Sequence, residues 1–290
     1  MRVLITGASG QVGRALLDTV PQHVELRALT RGELDITDVS AVRAAVEAFR
    51  PELVINAAAY TAVDKAESEP QLAGAVNADG PRHLARAADA VPGCRLLHLS
   101  TDYVFDGRAT EPYKPSDAPN PLSVYGRSKL LGERGVLEVL RERAVVVRTA
   151  WVYAAQGKNF LLTMLRLMRE RRAVRVVGDQ RGTPTAADSI ARALWTIGER
   201  PDVHGILHWT DAGEATWYDF AVAIANEGRA AGLLSEPVEI TRITTAQYPT
   251  AAHRPANSVL DTRDAIAQLR LTPAPWQVNL RVTLANIARA

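Results

Sequence analysis

The sequence holds one cysteine, Cys94, in 290 residues. A lone thiol closes no disulfide within the chain and builds no cysteine-based metal cluster, which fits a reducing compartment. Cys94 stands just before the apolar run Leu96 to Leu99 and reads as a small core residue. Lysine is scarce as well: of 34 basic residues only those at 65, 114, 129 and 158 are Lys, so each is a candidate for a specific task. Long apolar runs are missing. No stretch of about 18 residues is free of charge, and Met1 to Thr6 pass directly into a strand pattern without the basic segment and small-residue cleavage site of a signal peptide. The sequence therefore predicts no membrane partner and a cytoplasmic location. The formal net charge is only +2, and Arg141, Arg143, Arg169, Arg171 and Arg172 alternate with Glu138, Glu142 and Glu170 as on solvated helix faces. Without a clustered basic stripe, nucleic acid is not an expected partner.

What is present is an ordinary globular composition, 47% apolar and 23% charged, arranged in alternating short β-rich runs and longer helical patterns. That alternation predicts an α/β fold: a doubly wound parallel sheet of Rossmann type with a smaller C-terminal lobe. Strands are expected at 3–6, 24–29, 53–57, 95–100 and 144–149, with helices at 12–20, 39–49, 72–90 and 123–142 between them. Beyond Trp151 the reading is a helix over 159–171, a strand over 174–177, a helix over 187–199, a strand over 205–210 and a helix over 216–230. Residues 1–150 are assigned to a dinucleotide-binding half, with the elements around 174–200 and 205–210 returning to it. Residues 151–290 are mainly a substrate-binding lobe, and prolines at 237, 249, 255, 273 and 275 punctuate its end.

The first chemical signal is GASGQVG, Gly7 to Gly13, between the first strand and the first helix. Gly7 permits a tight turn, Gly10 a close approach of backbone to a pyrophosphate, and Gly13 close helix packing, with Ser9, Gln11 and Val12 completing the loop at a helix N-terminus. After the second strand, where an acid would bond an adenosine ribose, the sequence has Thr30 and Arg31, which suits a 2′-phosphate and favours NADPH over NADH; a solvent-exposed strand-end arginine fits the same residue. Asp35 and Ile36 are expected to flank the adenine, and Ala57, Ala58 and Ala59 leave room for the cofactor.

The second signal is Tyr125 and Lys129 in YGRSK, one helical turn apart on one face. A phenol titrates at roughly 10, and a neighbouring ammonium favours its ionised form. Ser100, Thr101 and Asp102 stand at the end of the fourth strand, the edge at which open parallel sheets bind ligands, so Thr101 is expected to bond a substrate oxygen beside Tyr125. His98 and His208 lie in predicted strands and read as core residues.

With these two motifs, NAAAYTAVDKAE (56–67), STDYVFDG (100–107), RTAWVY (148–153), NFLLTMLRL (159–167), DQRGTPT (179–185), TWYDFA (216–221) and HRPANSVLDT (253–262) make the chain resemble the extended short-chain dehydrogenases, in the branch that reduces nucleotide-linked ketosugars. The resemblance implies NADPH-dependent reduction of the 4-keto group of dTDP-4-dehydro-L-rhamnose. It assigns Tyr125 as proton donor, Lys129 as the holder of the nicotinamide ribose that lowers the tyrosine's pKa, and Thr101 as the residue orienting the carbonyl. Thr61, Val63, Tyr103 and Trp151 match positions bordering the sugar, and Arg254 one facing the diphosphate; Trp151 also fits a core aromatic, and Arg254 a loop cap. Asp179 and Arg181 fit a turn before Thr185.

Related dehydratases carry an acid pair after the threonine, whereas Asp102 is followed here by Tyr103, which disfavours elimination. Epimerases share the Tyr and Lys but not the C-terminal motifs. Some members bind Mg2+ at a dimer interface through a glutamate two residues beyond the last loop glycine. Ala15 stands there, and a methyl group offers no oxygen ligand, so no such metal is expected and the chain is taken as a monomer or homodimer. Two alternatives stay open: a 4-ketoreductase for another dTDP-deoxysugar, and a non-catalytic regulatory subunit like that of methionine adenosyltransferase.

Overall fold

The computed structural model describes residues 1–289. The nucleotide-binding half runs β1 (Arg2–Thr6), α1 (Gln11–Asp18), β2 (Glu25–Leu29), α2 (Val39–Phe49), β3 (Leu53–Asn56), α3 (Val63–Ala66), α4 (Pro70–Gly74), α5 (Gly80–Asp89), β4 (Arg95–Thr101), α6 (Val124–Leu140) and β5 (Ala144–Thr149). There follow β6 (Val152–Tyr153), α7 (Phe160–Glu170), β7 (Ala173–Val177), β8 (Arg181–Gly182), β9 (Thr185–Ala186), α8 (Ala187–Gly198), β10 (Gly205–His208), β11 (Ala215–Thr216), α9 (Trp217–Ala230), β12 (Glu239–Ile243), α10 (Arg263–Leu269) and α11 (Trp276–Arg289).

Six strands form one parallel sheet in the order β2-β1-β3-β4-β5-β10. Its central strands are apolar along their length because helices cover both faces. β3 and β5 are buried at every position. On one face Val12 and Leu16 of α1 pack with Ile190 and Leu194 of α8; on the other Val42 and Val46 of α2 pack with Leu84 of α5 and Val136 of α6. The strand order reverses between β1 and β3, so the loops leaving these two strands diverge and open a crevice at their carboxyl ends.

The C-terminal lobe has its own core, in which Leu161 and Leu165 of α7 meet Phe220 and Ile224 of α9 and Leu280 of α11. One assignment from the sequence is corrected here. β10 joins the main sheet and α8 packs on its face, but β7 does not join it: it pairs in parallel with β12 in a separate two-stranded sheet of the C-terminal lobe. Its residues alternate between exposed and buried, so it has a single covered face, unlike the doubly covered strands of the main sheet. The helix expected over 72–90 also differs. α4 and α5 are joined by a π-helical segment, Ala75–Asp79, a single wide turn of a kind common near functional sites.

Candidate active site

The glycine loop Gly7–Gly13 follows from steric limits. Gly7 has φ +74°, and a Cβ there would sit 2.5 Å from the Ala58 main-chain nitrogen; at Gly13 it would sit 2.2 Å from the Gly7 carbonyl oxygen. Only glycine allows the two turns to approach this closely. Gly10 is the N-cap of α1 and has no side chain to satisfy the helix's first N–H groups, which leaves them available to an anion. The crevice beside them, about 310 Å³, is lined by Gly7, Ser9, Gly10, Arg31, Asp35, Ile36, Ala57, Ala58, Ala59 and Thr61. The small alanines, the open helix end and the one guanidinium together fit a dinucleotide with an added phosphate.

Not every loop residue faces that crevice. Gln11 accepts a hydrogen bond from Asn159 and lines a second cleft, against the C-terminal lobe. Ala15 lines the same second cleft. Val12 belongs to the core beneath the sheet and Gly13 packs under the loop, so these two act by shaping the turn. The Thr30 hydroxyl donates to Glu33, so it is already engaged. Arg31 is exposed and 3.8 Å from Asp35, whose carboxylate is held low chiefly by hydrogen bonds from Thr37.

Ser123 caps α6 by accepting the Gly126 N–H at 3.1 Å, which starts the helix so that Tyr125 and Lys129 lie one turn apart. Thr101 ends β4. Its hydroxyl donates to Asp102 Oδ1 at 2.9 Å and accepts the Tyr103 N–H at 3.2 Å. The Tyr103 ring stands edge-on to Tyr125, centroids 5.7 Å apart. Burial pushes the Tyr125 phenol up to about 12; the Thr101 hydroxyl pulls it down and the Asp102 charge pushes it further up. Lys129 is buried and donates from Nζ to the Leu99 carbonyl at 2.5 Å. Burial brings its ammonium down to about 8 against the opposing charge of Glu133. The expected lowering of the phenol by the ammonium is therefore not what dominates here: Lys129 gives one of its three N–H donors to a main-chain carbonyl, and desolvation sets the phenol.

Beneath these residues lies a network that sequence reasoning missed. Glu133, one turn beyond Lys129, takes two hydrogen bonds from Arg148 of β5, at 3.0 and 2.7 Å, and another from Ser100. Both charged groups are fully buried, and the Arg148 guanidinium lies 5.1 Å from the Phe105 ring centroid. An arginine in the apolar run Val145 to Arg148 was the available signal. Asn77, on the π-helical segment, is a second missed residue: it accepts from the Tyr60 N–H and donates to the Tyr60 carbonyl and the Ser128 hydroxyl. His98 pairs with Asn56, and His208 with the Tyr113 carbonyl. Desolvation holds both far below the usual imidazole range, so neither is a proton donor at neutral pH.

Among the residues assigned to the substrate, Thr61 lines the crevice and Val63 opens α3. Arg254 gives Nη1 to Asp64, Thr250 and the Ala252 carbonyl and Nη2 to Asp64, so any diphosphate has to share it with that carboxylate. Trp151 adopts φ +47° and stacks on Trp217, centroids 3.5 Å apart and planes 5° from parallel. Trp217 was not foreseen. Asp179 accepts from the main chain and hydroxyl of Thr245, and Arg181 pairs with Glu214.

The chain is similar to known proteins along nearly its whole length. Residues 1–289 match the model of the family described as RmlD substrate binding domain. A relative from Aggregatibacter actinomycetemcomitans, dTDP-4-dehydrorhamnose reductase, is 44% identical over 97% of each chain. A Streptomyces antibioticus relative named a probable dTDP-4,6-dihydroxy-2-methyloxan-3-one 4-ketoreductase is 42% identical over all of this chain and 97% of its own. The crystal structure of dTDP-4-dehydrorhamnose reductase from Bacillus anthracis in complex with NADP superposes with a TM-score of 0.92 at 34% identity, covering 98% of this chain and 99% of that one. With a full-length match to the model and relatives above 40% identity, the chain belongs to the RmlD substrate-binding-domain family, within the short-chain dehydrogenase fold.

Proposed function

We propose that this chain reduces the 4-keto group of dTDP-4-dehydro-L-rhamnose to give dTDP-L-rhamnose, with NADPH as reductant, in the cytoplasm. The observation that carries the reading is the gathering of Thr101, Tyr125 and Lys129 at the carboxyl edge of the sheet, in a chain whose close relatives bear that activity in their names. Gly7, Ser9 and Gly10 would hold the pyrophosphate, Arg31 the 2′-phosphate and Lys129 the nicotinamide ribose. Bound NADPH supplies the hydride to the carbonyl carbon. Tyr125 keeps its proton at neutral pH because burial favours the neutral phenol; as the C=O π bond breaks, the Tyr125 O–H bond breaks too and its proton passes to the C4 oxygen. The ammonium of Lys129 stands one turn away to offset the phenolate left behind.

Loss of the reduced-nicotinamide absorbance on adding the 4-keto sugar nucleotide tests this directly. Turnover that disappears in Tyr125→Phe supports it, whereas no turnover with tight binding of a partner protein points to a regulatory subunit. A second reading is favoured by the Streptomyces antibioticus relative: a 4-ketoreductase for another dTDP-deoxysugar. A panel of dTDP-linked ketosugars, run with NADPH and NADH, separates the two by kcat/KM.

A further inference from the structure

Glu67 closes α3, and the chemistry derived above makes no use of it. Its Oε1 accepts the Val124 main-chain N–H at 2.8 Å, across 57 positions of sequence. Ser123 already caps α6 by accepting the Gly126 N–H at 3.1 Å, so this helix of 17 residues has its start without the distant carboxylate. The two acceptors take the N–H groups on either side of Tyr125. A carboxylate at a helix N-terminus is favoured by the helix dipole, and its hydrogen bond is stronger than a neutral one. The same turn rests on Tyr103, because a Cβ on Gly126 would sit 2.2 Å from the Tyr103 carbonyl oxygen. The main chain that carries the phenol is therefore held at three points, by Ser123, Tyr103 and Glu67.

Glu67 also ends a segment that faces the cofactor crevice. Thr61 and Ala62 line that crevice, and Asn77 fastens the Tyr60 main chain to the Ser128 hydroxyl of α6. Asp64 takes the Ala252 N–H at 3.1 Å and both terminal nitrogens of Arg254, at 3.1 and 2.7 Å. Residues 60–67 are thus tied to α6 at one end and to the 250–254 loop of the C-terminal lobe at the other. We infer that Glu67 is a positioning residue for Tyr125: it fixes where the first turn of α6 lies relative to the crevice wall, and with it the distance that the phenol proton has to cross. It acts through its reach. Asp102 is the carboxylate whose charge bears on the phenol, whereas Glu67 touches the main chain one residue away. A misplacement of about 1 Å, even from a change remote from the reacting atoms, can slow a reaction about 10²-fold, so a hydrogen bond that never meets the substrate can govern kcat.

This inference rests on the reductase reading, and variants of the full chain separate the two. Glu67→Asp keeps the charge and withdraws the carboxylate by one methylene; Glu67→Gln keeps the reach and removes the charge. The aspartate variant is expected to lower kcat about tenfold, with KM for the sugar nucleotide and the Kd for NADPH within about threefold of the wild type. The glutamine variant should stay within about threefold in all three quantities. Val124→Pro removes the same bond from the other end: proline is favoured at the first helical position, and Ser123, extended at ψ 160°, suits the residue before it. It should lower kcat as Glu67→Asp does, and combining the two should add less than about twofold. Glutamine impaired as much as aspartate, aspartate unimpaired, additive losses in the double variant, or KM and Kd rising in step with the fall in kcat each overturn the inference and leave the reductase reading standing. A wild-type chain without turnover overturns both. Thermal unfolding establishes that each variant is folded, and should Glu67→Asp be unstable, Val124→Pro alone, set against Glu67→Gln, decides.

Discussion

Lys129 Nζ lies 2.5 Å from the Leu99 carbonyl oxygen, which fixes the ammonium between β4 and α6, with Glu133 one turn beyond it. The site thus combines a buried cation with a half-buried phenol, and loss of solvent moves the two in opposite directions: the ammonium down to about 8 and the phenol up to about 12.

The ammonium gives a pH dependence of stability. Between about 8 and the unfolded value of 10.5 the folded chain has shed the Lys129 proton and the unfolded chain has kept it. The unfolded state then binds more protons, so stability rises with pH across that window. The cost of the buried charge is fully present below 8 and fades toward 10.5. Relative to Lys129→Met, the wild type should gain on the order of 1 kcal/mol per pH unit within the window, read from urea midpoints at matched pH values. A difference that is flat with pH would mean that Lys129 is solvated.

Tyr125→Phe removes the proton donor and keeps the ring that meets Tyr103 edge-on. A loss in kcat of about 10² to 10⁴-fold is expected, the usual contribution of a positioned acid, with NADPH binding retained. Single-turnover kinetics and nicotinamide fluorescence read the two quantities separately.

Glu133→Gln leaves the Arg148 guanidinium buried without its counter-charge. Breaking a buried pair in this way costs about 3–5 kcal/mol, so the variant should melt well below the wild type. The paired change Glu133→Met with Arg148→Met, which removes both charges, should recover much of that loss; calorimetry of the three chains decides.

Arg31→Ala should weaken NADPH about tenfold and leave NADH nearly unchanged, because only a 2′-phosphate offers the guanidinium a charge-assisted bond. Equal weakening of both cofactors in a fluorescence titration would place Arg31 outside the phosphate site.

The sequence disclosed what depends on local sterics and periodicity. Gly7 and Gly13 could be read because a turn this tight admits no side chain, and β5 because a doubly covered strand is apolar throughout. β7 was read as a strand but given to the wrong sheet, although its alternating burial is the mark of a strand with one face covered; which sheet it joins depends on residues 239–243, far along the chain. Trp217, Glu133 and Asn77 escaped notice because their roles arise from partners 66, 15 and 17 positions away, and no local pattern encodes such a pairing. The direction of the Tyr125 shift was missed for a related reason: the spacing of Tyr125 and Lys129 tells nothing of the Leu99 carbonyl that captures the ammonium.

The wide turn at Ala75–Asp79 makes that stretch sensitive to length in an unusual way. It accommodates one more residue than an α-helix would over the same rise. Deleting a single residue there would let the turn tighten into regular helix while the segments on either side keep their rise and azimuth. The same deletion within α5 would swivel residues 70–74 by about 100°, the advance of one α-helical residue, and draw the buried Ala73 out of its packing. The wide turn is thus the one place in this stretch where the chain can lose a residue without rotating what precedes it.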